Sequence, residues 1–134
     1  MKVSLQLAGA LQMLLALSHF AFIRRLEWRE ELHRVGLFTR QVFWVHTGFL
    51  MLVLAGFGIL DLVHADDLMA RSALSQTLLG GLTLFWGARL YCQFFVYRPE
   101  LWRGNALNTR VHIIFSALWL FLTAVHAVAL CRQW

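Results

Sequence analysis

Histidine is the residue type whose number and placement in this sequence could carry chemistry. The chain has six histidines among 134 residues. An ionisable side chain inside a bilayer costs free energy, so each histidine in an apolar run calls for an explanation. A neutral imidazole can ligate haem iron or another metal, and it can relay a proton. Five of the six lie in or beside long apolar runs: His19, His46, His64, His112 and His126.

The spacing of these histidines puts them in pairs on shared helix faces. His112 and His126 are fourteen residues apart, which leaves them about 40° from eclipsed and about 21 Å apart along a helix. His46 and His64 are eighteen residues apart, so they also share a face, about 27 Å apart. If the two helices face each other, His46 meets His112 at one membrane surface, and His64 lies about a turn beyond His126 at the other.

Two imidazoles from facing helices, one on each side of an iron in an apolar slot, are what a bis-histidine haem requires. The pattern therefore predicts haem b at the inner site, with His46 and His112 as its axial ligands. His126 is expected to ligate a second, outer haem, for which His64 is a poorly placed partner. His19 lies at the inner end as well, where it competes for an axial position or contacts the cofactor.

Four apolar runs position these residues. The composition is 60% hydrophobic and 14% charged, which is too apolar for a soluble domain of this size. A helix needs about 20 apolar residues to cross a hydrocarbon core of about 30 Å. Such runs occupy residues 3–23, 42–63, 72–97 and 111–131. The sequence predicts an all-α, integral membrane four-helix bundle, with a single transmembrane domain over residues 1–134.

Lysine and arginine are concentrated in two of the links, which predicts an orientation. The links between the first two and the last two runs carry eight arginines, whereas the opposite side carries three basic residues. By the positive-inside rule the arginine-rich links lie in the cytoplasm and both termini lie outside it, in what we expect to be a bacterial inner membrane. This asymmetry accounts for the net charge of +5, so we expect no nucleic-acid partner.

In helix count, size and histidine spacing over the second to fourth runs, the chain resembles the four-helix b-type membrane cytochromes, the cytochrome b561-like group. In that group, two histidines about fourteen positions apart on one helix ligate two stacked haems. The resemblance implies oxidation of a quinol or another reduced carrier, coupled to electron transfer across the membrane. Quinone is the further cofactor that it implies.

Of all residues in the four runs, Arg89 has the highest free-energy cost of insertion into a bilayer. It lies about two turns inside the end of the third run. One interpretation makes it the cation that holds a haem propionate or a quinone headgroup near the inner histidines. The other is that its long side chain snorkels to the cytoplasmic headgroups.

The charged segment between the first two runs predicts a short amphipathic helix. Its leucines alternate with Arg and Glu in a helical pattern, so a helix near residues 25–36 is expected in the membrane interface, ending at Gly36. Glu27, together with Glu30 or Glu31, is expected to pair with arginines three or four positions away. His33, in the same segment, is expected to be solvated.

Asp61 and His64 are one turn apart at the end of the second run, as metal ligands on a helix can be. Asp66 and Asp67 follow them closely, but an ordinary polar helix end with solvated acids is the preferred interpretation of this cluster. No dinucleotide fingerprint, phosphate-binding loop or hydrolase motif occurs, so nucleotide-dependent and hydrolytic functions have no support.

The leading interpretation is a small membrane haem b protein that passes electrons between a quinol pool and a partner. The alternative is a non-catalytic accessory or assembly subunit of a larger membrane complex, its histidines buried in helix contacts. A membrane enzyme of haem or quinone metabolism is a third interpretation, so enzymatic activity is left open. The expected partners are the lipid bilayer and either other membrane subunits or further copies of the chain.

Overall fold

The computed structural model describes residues 1–25 and 28–134, and this part of the chain is all-α. A 3-10 turn at Pro99–Leu101 precedes the last helix. The helices are α1 (Lys2–Arg25), α2 (Trp28–His33), α3 (Leu37–Val63), α4 (Ala65–Met69), α5 (Ala73–Phe95) and α6 (Ala106–Cys131).

Three helices, α1, α3 and α6, are long and apolar enough to cross a membrane. They confirm the membrane character predicted from the composition. The helix α5 has 23 residues, which is sufficient length for a span. Its sequence, however, includes Gln76, Arg89 and Gln93, so it does not reach the hydropathy of the other three.

Two of the helices begin earlier than the apolar runs predicted. The helix α3 begins at Leu37 rather than at residue 42, and α6 begins at Ala106 rather than at residue 111. At α6 the reason is a cap, because the Asn105 side chain accepts hydrogen bonds from the first free backbone N–H groups. Apolar runs mark the part of a helix that suits lipid, whereas caps and backbone bonds determine where the helix ends.

A short helix does occur in the segment where the interfacial helix was expected. It covers Trp28–His33, within the predicted residues 25–36. Leu26 and Glu27, which belong to the same prediction, lie outside the described residues. The five-residue helix α4 was not predicted, because its sequence is too short to show a helical period.

The chain forms two compact units. One is Gln6–His64, which holds most of α1 together with α2 and α3. The other combines Met1–Leu5 with Ala65–Trp134 and holds α4, α5 and α6. A single transmembrane domain over residues 1–134 stays a prediction.

Within the first unit, α1 and α3 approach closely at two glycines. A Cβ atom added at Gly9 would lie 2.7 Å from the carbonyl oxygen of Gly58, and one added at Gly58 would lie 2.7 Å from Cγ of Met13. These separations are shorter than van der Waals contact, so a side chain at Gly9 would require the backbone to shift, and one at Gly58 would displace Met13. Small residues of this kind let helix backbones approach in membrane proteins.

Within the second unit, α5 and α6 pack against each other as an antiparallel hairpin. Near its middle, the indole of Trp86 stacks on that of Trp119, with ring centroids 5.4 Å apart and planes inclined by 13°. Leu79, Leu82 and Leu122 of the same two helices are also buried. The Ser72 side chain caps α5 by accepting from the backbone N–H of Ser75.

Candidate functional site in the α5–α6 hairpin

The loop between α5 and α6 holds Trp102 near the start of α6. Pro99 begins the 3-10 turn, and Gly104 has a φ of 84°, a conformation that strains any residue with a side chain. Thr109 Oγ1 donates a hydrogen bond to the carbonyl oxygen of Trp102 over 2.8 Å. This bond ties the loop to the first turn of α6.

His112, in the second turn of α6, lies between this loop and α5. Its imidazole stacks on the indole of Trp102, with ring centroids 3.9 Å apart and planes inclined by 7°. Its Nδ1 atom lies 2.7 Å from Nε2 of Gln93 on α5. Trp119 Nε1, in turn, donates to Oε1 of Gln93 over 3.2 Å. Three side chains from two helices therefore form one hydrogen-bonded series.

This series determines which nitrogen of His112 carries the proton. An indole N–H can only donate, so the Gln93 atom that it meets must be the oxygen, and the NH₂ group then faces His112. Nδ1 of His112 is consequently an acceptor, and the proton of the neutral ring is on Nε2. His112 offers a ligand an N–H donor rather than a lone pair.

His112 also lines an apolar groove of about 350 Å³ on the hairpin. Ser116 lines it too, and its hydroxyl donates to the carbonyl oxygen of His112 within α6 over 2.8 Å. The groove can accept a flat or chain-like apolar molecule that carries a hydrogen-bond acceptor for the imidazole. Its other lining residues are Leu90, Phe94, Ile113, Ala117 and Leu120.

Arg89 lies one turn before Gln93 in α5 and is held by two aromatic rings. Its Cζ atom is 4.7 Å from the centroid of the Trp119 ring and 5.3 Å from that of Tyr97. Cation–π contacts of this kind reduce the cost of a charge in apolar surroundings. The Nη1 atom is buried and has no hydrogen-bond partner in the part of the chain that the structure describes. Both N–H groups of Nη1 are therefore without an acceptor in the described residues.

Three other histidines carry the proton on the opposite nitrogen. In each of them, Nδ1 lies close to the carbonyl oxygen of the residue four positions earlier in the helix. This distance is 2.8 Å for His19 and His46 and 2.7 Å for His126. A carbonyl oxygen only accepts, so Nδ1 holds the proton, and Nε2 of the neutral ring has the lone pair. Metal-ligating histidines are usually held in this way. His126 is fully buried and His46 is exposed.

The described residues include no group of three or more potential metal ligands. His46 and His112 belong to different compact units, and their pairing around a haem stays a prediction. Ligation by His112 would require its ring to leave the tautomer that Gln93 holds. The role of His64 as an outer ligand also stays a prediction. His64 ends α3 as its C-cap residue.

The acidic residues near His64 have partners of their own. Asp61 is fully buried in the last turn of α3, and Nε2 of Gln12 donates to its Oδ2 atom over 2.6 Å. Asp66 forms an ion pair with Lys2. Asp66 fits the predicted polar helix end, whereas the buried Asp61 is not the solvated acid that the sequence predicted.

Four of these side chains were not predicted from the sequence as site residues: Gln12, Gln93, Trp102 and Trp119. For the two glutamines a signal was present, since an amide within an apolar run needs hydrogen-bond partners. For Trp102 no such signal exists, because its contact with His112 depends on the loop conformation.

No family model matches this chain, and no curated protein or solved structure is significantly similar to it. The resemblance to b-type membrane cytochromes accordingly rests on helix count and histidine spacing.

Proposed function

We propose that this chain is a membrane protein that exchanges electrons with a quinone bound in the groove of the α5–α6 hairpin. The observation that carries the proposal is the contact of Gln93 with Nδ1 of His112 beside an apolar groove, from which the N–H on Nε2 follows. A quinone is flat and largely apolar, and its carbonyl oxygens can only accept hydrogen bonds. An N–H donor beside an apolar groove is therefore complementary to it.

Arg89 and Trp102 support the same proposal. The positive charge of Arg89, which lies against Trp119, would stabilise the negative charge that develops on a quinone oxygen when the ring takes up an electron. Trp102 covers one face of the His112 imidazole and so restricts its orientation. Both residues lie next to the Gln93 series that holds the donor in place.

We place all four long helices across the bilayer, as a four-helix membrane protein. The polar side chains of α5 support this placement, because Arg89 and Gln93 contact Trp119 and His112 on α6 rather than lipid. The arginine-rich links would face the cytoplasm of a bacterial cell. Further membrane subunits or a second copy would supply the electron-transfer partner.

Filling the groove tests the quinone site. We expect Ile113→Phe to weaken binding of a decyl-substituted benzoquinone about tenfold, a loss of about 1.4 kcal/mol, because Ile113 lines the groove. Ile114→Phe is the matched control, since Ile114 is equally exposed but does not line the groove. The affinity is measured from the quenching of tryptophan fluorescence by the added quinone in the purified protein. Equal affinities for the two variants would contradict the proposal.

Haem b is the one-electron carrier that we propose in addition to the quinone. The lone pairs on Nε2 of His46 and His19 fit the ligand chemistry of haem iron. We assign the iron to these two residues of the first unit, because Nε2 of His112 already carries a proton. His126 has the same tautomer and is the candidate ligand of a second haem.

The haem assignment predicts a reduced-minus-oxidised absorption difference in the purified wild-type protein. We expect His46→Ala to abolish the signal of the inner haem and His112→Ala to keep it, with His33→Ala as a control that also keeps it. Loss of the signal in His112→Ala would restore the ligand pair predicted from the sequence. Absence of both the haem signal and quinone binding in the wild type would leave the accessory or assembly subunit as the function.

A further inference from the structure

A second pocket, of about 350 Å³, lies where α2 meets the first turns of α3. Arg29 and His33 line it from α2, and Arg40 and Trp44 line it from α3. A guanidinium only donates, so the contact of 3.1 Å between Nη1 of Arg40 and Nδ1 of His33 puts the proton of the neutral imidazole on Nε2. Because Nδ1 of His33 is already occupied by Arg40, the polar groups of the lining residues that remain for a ligand are all donors.

No carboxylate of the described residues neutralises these arginines. Glu30 and Glu31 belong to α2, but neither forms an ion pair with an arginine, so the pairing predicted from the sequence is not observed in residues 1–25 and 28–134. Two guanidiniums that line one pocket repel each other unless an anion lies between them. The pocket has the charge and the donors for such an anion.

The surroundings of the pocket indicate where the anion comes from. The helix α3 is apolar and long enough to cross a membrane. At its start Leu37 and Phe38 are 61% and 79% exposed. Trp28 contacts Phe43 edge-on, with ring centroids 5.5 Å apart. Exposed apolar side chains and tryptophans beside a cationic pocket suit the boundary between lipid headgroups and acyl chains.

We propose that this pocket binds the phosphate group of an anionic phospholipid. Arg29 and Arg40 donate to the phosphate oxygens, as guanidinium groups do in phosphate sites. His33 acts as a positioning residue, because it accepts from Arg40 and holds that side chain at the pocket. The proposal does not depend on the quinone site, which uses none of these residues.

The test compares lipid binding by the delipidated full-length protein in a mild detergent. Native mass spectrometry measures the retention of phosphatidylglycerol and of phosphatidylcholine. We expect preferential retention of phosphatidylglycerol, and at least a fivefold loss in Arg29→Gln/Arg40→Gln. The matched control Arg34→Gln/Arg103→Gln removes the same charge from residues that do not line the pocket, and it should lose less than twofold.

Equal losses in the two double variants would overturn the proposal, because net charge alone would then explain the binding. Equal retention of the two lipids would also overturn it. Displacement of phosphatidylglycerol by millimolar inorganic phosphate would assign the pocket to free phosphate instead of lipid. The double variant Arg29→Gln/Arg40→Gln could lower the melting temperature of the lipid-free protein. In that case the single variant Arg29→Gln is the test, because Arg29 makes no polar contact with the described residues. Unchanged retention of phosphatidylglycerol in Arg29→Gln would overturn the proposal.

Discussion

Replacing Gln93 by Leu is expected to lower the free energy of unfolding by roughly 1–3 kcal/mol and to weaken quinone binding about tenfold. Leucine has a similar volume but leaves Trp119 Nε1 and His112 Nδ1 without their shared partner. The His112 proton is then no longer confined to Nε2. Thermal unfolding in detergent and quinone titration measure the two effects on the same samples.

Gln93→Glu separates the two roles of this side chain. A carboxylate still accepts from Trp119, but it cannot donate to His112 Nδ1, so the imidazole should place a proton on that nitrogen. We expect nitrogen-15 spectra of labelled histidine to show this change, with weaker quinone binding and a smaller loss of stability than in Gln93→Leu. Thr83→Val is the control on α5, because the Thr83 hydroxyl bonds only to the backbone of its own helix. Unchanged quinone binding in both Gln93 variants would refute the donor role of His112.

Adding a single methyl group at Gly9 is expected to destabilise the contact between α1 and α3 by about 1–3 kcal/mol. The new Cβ would lie 2.7 Å from a backbone oxygen and 2.9 Å from both Asp61 Cβ and Leu62 Cγ. A backbone oxygen cannot move aside without shifting the helix. The measurement is the melting temperature of Gly9→Ala in detergent.

Gly56→Ala is a control for which we expect a change in stability of the opposite sign. Gly56 also lies in α3, but a Cβ atom there would meet nothing within 4 Å. Alanine should therefore raise stability by about 0.5–1 kcal/mol, since glycine in a helix interior loses more backbone entropy on folding. A similar melting temperature for Gly9→Ala and Gly56→Ala would show that the close approach at Gly9 does not contribute to stability.

The long helices could be predicted from the sequence because apolar runs of sufficient length have few other structures in lipid. The start of α6 could not, because it depends on a hydrogen-bonded cap at Asn105 that precedes the apolar residues. The whole of α5 was predicted as a span from its apolar residues. Its polar side chains find their partners on α6, and no pattern within α5 alone reveals those contacts.

His112 was identified from its spacing, but its protonation could not be predicted. The spacing of His112 and His126 predicts a shared face, and a shared face is compatible with either tautomer. The tautomer depends on Gln93 and on Trp119, which is 26 residues from Gln93 in the sequence. Contacts at this separation are a property of the folded hairpin, so the sequence could indicate a ligand but not a hydrogen-bond donor.

The dependence of α5 on α6 has a consequence for biosynthesis. As the ribosome delivers the chain, α5 reaches the insertion machinery before the residues that receive Arg89 and Gln93 have been made. A helix with these side chains partitions into lipid less readily than α1 or α3. If α5 crosses the bilayer, it has to wait in the translocon or at the membrane surface until α6 emerges, and the two enter together. Ribosome stalling after α5 but before α6 would then trap a chain with two inserted helices.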